Sequence, residues 1–177
     1  MKRTIRDYLV LALIGGTVIA LDQISKYYVR TALPVGEIWS PWPWLAPYAR
    51  IVHWTNTGVA FGMFQGMGTV FAVLAALVAG VIIYYYPRVP QGEWPLRLAL
   101  GLQFGGAVGN LIDRIYQGYV TDFISVGNFA VFNVADASIT IGVAVLILGV
   151  WLQERQQKKD GTPPVDLPAA GDGEVHP

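Results

Sequence analysis

Asn110-Leu111-Ile112-Asp113 and Asn133-Val134-Ala135-Asp136 repeat one Asn-x-x-Asp spacing inside two stretches that are otherwise strongly apolar. An aspartate at the centre of a bilayer costs roughly 2.5 to 3.5 kcal/mol on insertion scales, so a carboxylate kept there faces a bundle interior or a wet cavity and carries function by default. Residues three apart share a helix face, which places Asn110 beside Asp113 and Asn133 beside Asp136. Each amide can donate to one carboxylate oxygen and leave the other facing a water molecule. Two aspartates brought close together share a proton and titrate as a pair. The ionised member then acts as general base on water, while the protonated one polarises a peptide carbonyl and later protonates the leaving amine. This is aspartic-protease chemistry, with Asp113 and Asp136 as the expected dyad.

Other roles stay open for several of the polar residues. The acids could instead form a network that ties the bundle together, with Arg114 as the adjacent cation. Arg114 could equally snorkel to the interface or pair with an anionic lipid. Asp22 has Lys26 at i+4 on its own face, so a structural pair and a place at the site are both available to it. Asp122 falls in an external loop and reads as a solvated or strand-capping carboxylate, and His53 as an interfacial loop residue near four tryptophans. The serines have no histidine partner within a span, and neither H-E-x-x-H nor a phosphate-binding glycine loop occurs. No metal and no cofactor is expected. The main rival function is a small proton-coupled transporter or channel using the same acids. It is disfavoured because no inverted repeat is visible and the acids lie near one surface. A purely structural subunit would leave the amides unexplained.

The elements that must hold these residues follow from hydropathy. Of 177 residues, 54% are hydrophobic and 14% charged, too apolar for an ordinary soluble domain. Zero net charge gives no basic field for nucleic acid, and the absence of cysteine excludes disulfides and thiolate chemistry. Four runs, about 8–28, 68–86, 96–116 and 133–152, approach the roughly 20 residues that cross a bilayer. The expected fold is therefore an all-α membrane protein, a four-transmembrane-helix bundle with a small extracytoplasmic β-containing cradle. The first run opens like a signal peptide, but Asp22-Gln23-Ile24-Ser25-Lys26 stands where a small-residue cleavage site would be, so it reads as an uncleaved anchor.

Lys2, Arg3, Arg6, Arg88, Arg97, Arg155, Lys158 and Lys159 gather on one side, which the positive-inside rule makes cytoplasmic, and both termini with it. Asp113 and Asp136 then each lie about three residues, or about 4.5 Å, from the outer boundary. Asp22 is expected one to two turns deeper. The external segments are 31–67 and 117–132. Prolines at 34, 41, 43 and 47 exclude a continuous helix in the first. Trp39, Trp42, Trp44 and Trp54 suit the headgroup level, and 50–57 and 119–126 read as short strands. Gly101, Gly105 and Gly109 form a small-xxx-small ladder leading to Asn110, whose alternative reading is helix association alone. Residues 1–152 form a single integral membrane peptidase domain, and 153–177 a disordered cytoplasmic tail.

Five ordered blocks, Asp22-Gln23-Ile24-Ser25-Lys26, Asn56-Thr57-Gly58-Val59-Ala60-Phe61-Gly62, Gly109-Asn110-Leu111-Ile112-Asp113-Arg114, Val120-Thr121-Asp122-Phe123 and Phe132-Asn133-Val134-Ala135-Asp136, resemble the lipoprotein signal peptidases, or signal peptidase II. The resemblance covers nearly all of residues 8–152. It implies an inner-membrane aspartic endopeptidase that cleaves bacterial prolipoproteins just before a diacylglyceryl-modified cysteine. It also implies membrane phospholipid surroundings and inhibition by the cyclic peptide globomycin; the oligomeric state is left open, with a monomer as the expectation. Asp113 and Asp136 match the dyad, and Asp22, Lys26, Asn56, Gly58, Asn110, Arg114, Asn133 and Ala135 match motif positions that line or support the site. One departure is Ala137, where the family often carries serine; Ser138 follows it.

Overall fold

The computed structural model of the protein describes residues 2–58 and 63–159. Four long helices carry most of the chain: α1 (Lys2–Ala32), α2 (Gly68–Tyr85), α3 (Trp94–Gln117) and α4 (Val134–Lys159). Three short strands, β1 (Ile38–Trp39), β2 (Ala49–Asn56) and β3 (Val120–Val126), form one antiparallel sheet in the order β1-β2-β3. The expected strands are present, and the two-residue β1 is an addition too short to leave a sequence pattern. His53, expected in a loop, lies within β2 and is buried. Its Nδ1 pairs with the Leu33 carbonyl at 2.7 Å, tying the sheet to the end of α1.

Among the described residues, three helices are long and apolar enough to cross a membrane, over Arg3–Ala32, Gly68–Arg88 and Val134–Gln156. The expected third span, 96–116, is a helix of sufficient length but is not apolar enough to meet that description. The reason is positional. α3 packs against α1, α2 and α4, so it can bury Arg97, Asn110 and Asp113 among protein neighbours rather than lipid. Outward faces of the other helices expose Leu9, Leu13, Leu77, Val81 and Ile147, as a chain surrounded by lipid requires.

α4 continues to Lys159, past the boundary expected at 152. Gln153 to Lys159 contains good helix formers and no glycine or proline, so nothing local stops the helix there. The rest of the expected tail, 160–177, lies outside the described residues, as does 59–62 of the Asn56–Gly62 block. α3 starts with Pro95 in its first turn and stops at Gly118, whose φ of 76° closes the helix through its N–H to the Arg114 carbonyl at 3.1 Å.

The glycine ladder does more than associate helices in general. A Cβ on Gly101 would stand 2.7 Å from Ile14 Cγ2, on Gly105 2.6 Å from Val18 Cβ, and on Gly109 2.7 Å from Asp22 Oδ2. All three therefore face α1 and bring its polar end against Asn110. Gly106 faces the other way, 2.5 Å from the Ala135 carbonyl oxygen of α4 by the same measure. At the opposite end of the bundle, Arg97 Nη2 meets Asp7 at 2.8 Å and its guanidinium lies 4.6 Å from the Tyr86 ring centroid.

Gly105→Ala gains helix propensity but forces α1 and α3 apart, because its Cβ would also meet the Gly15 carbonyl oxygen at 2.8 Å. Overpacking of this kind costs about 1–3 kcal/mol. A lowered midpoint of thermal unfolding in detergent is the expected result; an unchanged or raised midpoint contradicts the packing.

Candidate active site

The two Asn-x-x-Asp repeats do different work. Asp113 is fully buried and surrounded by cations and donors from α1 and β3. Its Oδ2 takes the Lys26 ammonium at 3.2 Å and the Thr121 N–H at 2.9 Å, and its Oδ1 faces Gln23 Nε2 at 3.3 Å and Arg30 Nη1 at 3.4 Å. Its cation partners are thus Lys26 and Arg30. Arg114 instead donates to the carbonyls of Asn110 and Gly58, at 3.4 and 3.2 Å, and its guanidinium carbon lies 5.8 Å from the Phe71 ring centroid.

Asn133 and Asp136 form a reciprocal cap at the start of α4. The Asn133 side-chain oxygen accepts the Asp136 N–H at 2.9 Å, and Asp136 Oδ2 accepts the Asn133 N–H at 3.2 Å. This is a capping box, here built from Asn and Asp, which satisfies two N–H groups that a helix start leaves unpaired. Its consequence is that Asp136 is held by the backbone itself.

The expectation that each aspartate is served by the amide three residues before it holds for Asp136 only. Three residues turn a helix by about 300°, leaving about 60° between Asn110 and Asp113. Asp113 therefore turns toward α1 while Asn110 reaches across to α4, where its Nδ2 donates to Asp136 Oδ1 at 2.7 Å. Asn133 likewise serves a second carboxylate: its Nδ2 donates to Asp122 Oδ1 at 2.8 Å.

Asp122, like His53, departs from the expected loop position. It lies in β3, not in an open loop, and is 2% exposed. Asn56 Nδ2 donates to its Oδ2 at 2.9 Å, while the Asn56 side-chain oxygen accepts the Gly58 N–H at 2.9 Å and folds the chain there. A Cβ at Gly58 would overlap the Met63 carbonyl oxygen, so only glycine permits that close return. Aspartate is disfavoured in strands, and one set between Val120 and Phe123 is the signal that could have marked it.

Asp122 and Asp136 line the same cavity, of about 490 Å³, together with Asn56, Gly58, Asn110 and Arg114. Its other walls are mostly apolar, from Val120, from Phe129 to Phe132, and from Ala137, Ile139, Thr140 and Ile141 of α4. Asp113, Asp22 and Lys26 do not border it. Asp22 Oδ1 accepts the Ala135 N–H at 2.9 Å, so Asp22 and Ala135 support the site by fastening α1 to the first turn of α4. Ser138, next to Ala137, bonds the Val134 carbonyl at 2.8 Å within its own helix and does not line the cavity.

Burial, and secondarily the charge of Asp136, push the Asp122 carboxyl up to about 7. Two carboxylates beside one cavity, one of them poised to hold a proton near neutrality, are the parts needed to activate water and protonate a leaving group. The folded-state value lies above the ordinary 3.8, so the fold gains from Asp122 only at low pH and loses that contribution as pH rises through about 7.

Comparison with known proteins places the chain among membrane peptidases. Residues 14–152 match the model of the Signal peptidase (SPase) II family. The lipoprotein signal peptidase of Shouchella clausii is 41% identical over 143 residues, 80% of this chain and 93% of that one. That of Streptococcus pneumoniae is 36% identical over 156 residues, covering 86% and 96%. A bacterial membrane enzyme solved by the in meso method superposes with a TM-score of 0.74 at 28% identity, covering 89% of this chain and 93% of that one. A second such structure gives 0.70 at 32%, covering 79% and 91%.

Asn133→Ala removes both the cap and an Asp122 donor. It is expected to cost about 0.5–2 kcal/mol of stability and, because N–H donors favour the charged carboxylate, to raise the Asp122 titration further above about 7. Asn133→Ser keeps a cap oxygen without the reach to Asp122, so it restores the stability but not the titration. Thermal unfolding and carbon NMR of labelled aspartate read the two effects; equal recovery of both contradicts the assignment.

Proposed function

The chain belongs to the signal peptidase II family, and from that premise we propose that it is an intramembrane aspartic endopeptidase whose working pair is Asp122 and Asp136. The substrate is a diacylglyceryl-modified bacterial prolipoprotein, cut just before its lipidated cysteine. The observation that carries the reading is Asn133, which donates to Asp136 through its backbone and to Asp122 through its side chain, holding both carboxylates at one cavity.

Asp136 takes the proton of a water molecule while Asp122, protonated near neutral pH, polarises the scissile carbonyl. The hydroxide adds to the carbonyl carbon, and the C–N bond then breaks as a carboxyl proton passes to the leaving amine. Asn110 donates to Asp136 and Asn56 to Asp122, which holds the two acids in place. The apolar walls of the cavity, contributed by α4 and the 129–132 segment, suit a substrate that never leaves the bilayer. α3 completes a four-span bundle in this reading, its polar face turned inward. The basic residues at the α1 start, the α2–α3 connection and the α4 end put both termini in the cytoplasm of a cell with the enzyme in its inner membrane, and the site near the extracytoplasmic face.

The segment 31–67 acts as a cradle over lipid and peptide, and globomycin-type cyclic peptides occupy the substrate's place. The first reading of the dyad, Asp113 with Asp136, is set aside because Asp113 is engaged by Lys26, Arg30 and Thr121 away from the cavity.

A gel-shift assay on a diacylated prolipoprotein tests this. Asp122→Asn and Asp136→Asn are each expected to lower kcat by at least about a thousandfold with the folded protein recovered normally. Asp113→Asn should lower the thermal midpoint and reduce kcat at least about tenfold less than either. Full loss in Asp113→Asn with normal stability, beside an active Asp122→Asn, would restore the earlier dyad. A proton relay without peptidase chemistry predicts no shift in the wild type.

The pH profile gives a second test. Asp122 is the proton donor, so kcat is expected to fall as pH rises through about 7, and a profile flat from pH 6 to 9 contradicts that role.

A further inference from the structure

We infer that Lys26, which touches neither carboxylate of the proposed dyad and does not line the cavity, is a positioning residue that fixes which way the Asn110 amide points at Asp136. The inference rests on Asp136 belonging to the working pair. An asparagine side chain has nearly the same shape in its two amide orientations, so its partners decide which is adopted. Asn110 Oδ1 accepts from Lys26 Nζ at 2.9 Å and from Asn133 Nδ2 at 3.1 Å, and its Nδ2 donates to Asp136 Oδ1 at 2.7 Å.

An ammonium has only protons to offer. Turned over, the amide would set its NH₂ against the Lys26 ammonium and the Asn133 NH₂, and its oxygen against the Asp136 carboxylate. Lys26 is fully buried, and its three protons have three acceptors: Asp22 Oδ2 at 2.8 Å, Asp113 Oδ2 at 3.2 Å and Asn110 Oδ1. Asp22 and Asp113 thereby acquire a purpose that lining the cavity does not give them. They hold a cation in the bundle so that it can orient a neutral amide one step nearer the chemistry. Orientation matters because the Asn110 donor occupies one Asp136 oxygen while the Asn133 N–H occupies the other, leaving a defined lone pair on each for water.

Removing Lys26 alone would leave Arg30 for Asp113 but take away the cation that pairs with Asp22, so the test removes a matched pair of charges. In Asp22→Asn/Lys26→Met, kcat on a diacylated prolipoprotein peptide is expected to fall at least about tenfold, with KM changed less than about twofold, since the cavity walls are untouched. If Lys26 only balances charge, the double variant regains kcat to within about twofold of wild type. Solid-state NMR of the wild-type enzyme gives a readout that does not depend on the variant folding. Magnetisation from the labelled Asn110 side-chain nitrogen should pass to Asp136 Cγ, and passage to Lys26 Cε in its place overturns the inference. An active Asp136→Asn would defeat the dyad itself. An inactive Asp136→Asn beside a double variant of wild-type kcat would defeat the role of Lys26 alone.

Discussion

Charged groups withdrawn from water must find partners within the protein, and the end of this bundle that carries Asp22 and Asp113 is organised around that requirement. Asp22, Lys26, Arg30 and Asp113 sit between α1 and α3 with one positive charge for each negative one. Unpaired, any of them would cost several kcal/mol in a low-dielectric setting. The glycine ladder lets α1 approach α3 closely enough for the pairing to form, because side chains at Gly101, Gly105 and Gly109 would collide with Ile14, Val18 and Asp22. Packing and electrostatics are therefore one constraint: the helices come together where small residues permit, and the charges complete the contact.

From that ionic floor a series of amides leads to the cavity. Lys26 meets Asn110, Asn110 meets Asp136 and Asn133, and Asn133 meets Asp122. Lys26 and Asn133 both donate to the Asn110 oxygen, Asn110 donates onward to Asp136, and Asn133 also donates to Asp122, so each carboxylate has its own amide donor. The sheet supplies the remaining piece by carrying Asp122 over the start of α4, with Asn56 of the neighbouring strand on its second oxygen. A site assembled from α3, α4, β2 and β3 holds its acids by paired donors and is otherwise walled mostly by apolar side chains.

Much of this could be read from residue order. The apolar runs at 8–28, 68–86 and 133–152 became helices because a continuous apolar stretch of that length has few other solutions. The strands followed from β-branched and aromatic residues at 50–57 and 119–126. The polar run of α3 is harder, since hydropathy averages around the helix and cannot tell a buried polar face from an exposed one. The same blindness misplaced Asp122: a carboxylate in a short external strand looks solvated until the fold shows what covers it. Asp113 and Asp136 share a spacing from an asparagine, yet one lies near the end of α3 and the other in the cap at the start of α4. Spacing alone does not distinguish an amide that turns to its own helix from one that reaches to another.

The central claim is that the reacting centre lies between Asp122 and Asp136. The most direct measurement is a crystal structure with a lipopeptide carrying a secondary hydroxyl in place of the scissile carbonyl, which imitates the tetrahedral adduct. The account predicts that this hydroxyl bonds both Asp122 and Asp136 within the cavity, with the Asp113–Lys26 pair intact. A hydroxyl bound between Asp113 and Asp136, or touching neither Asp122 oxygen, would contradict it.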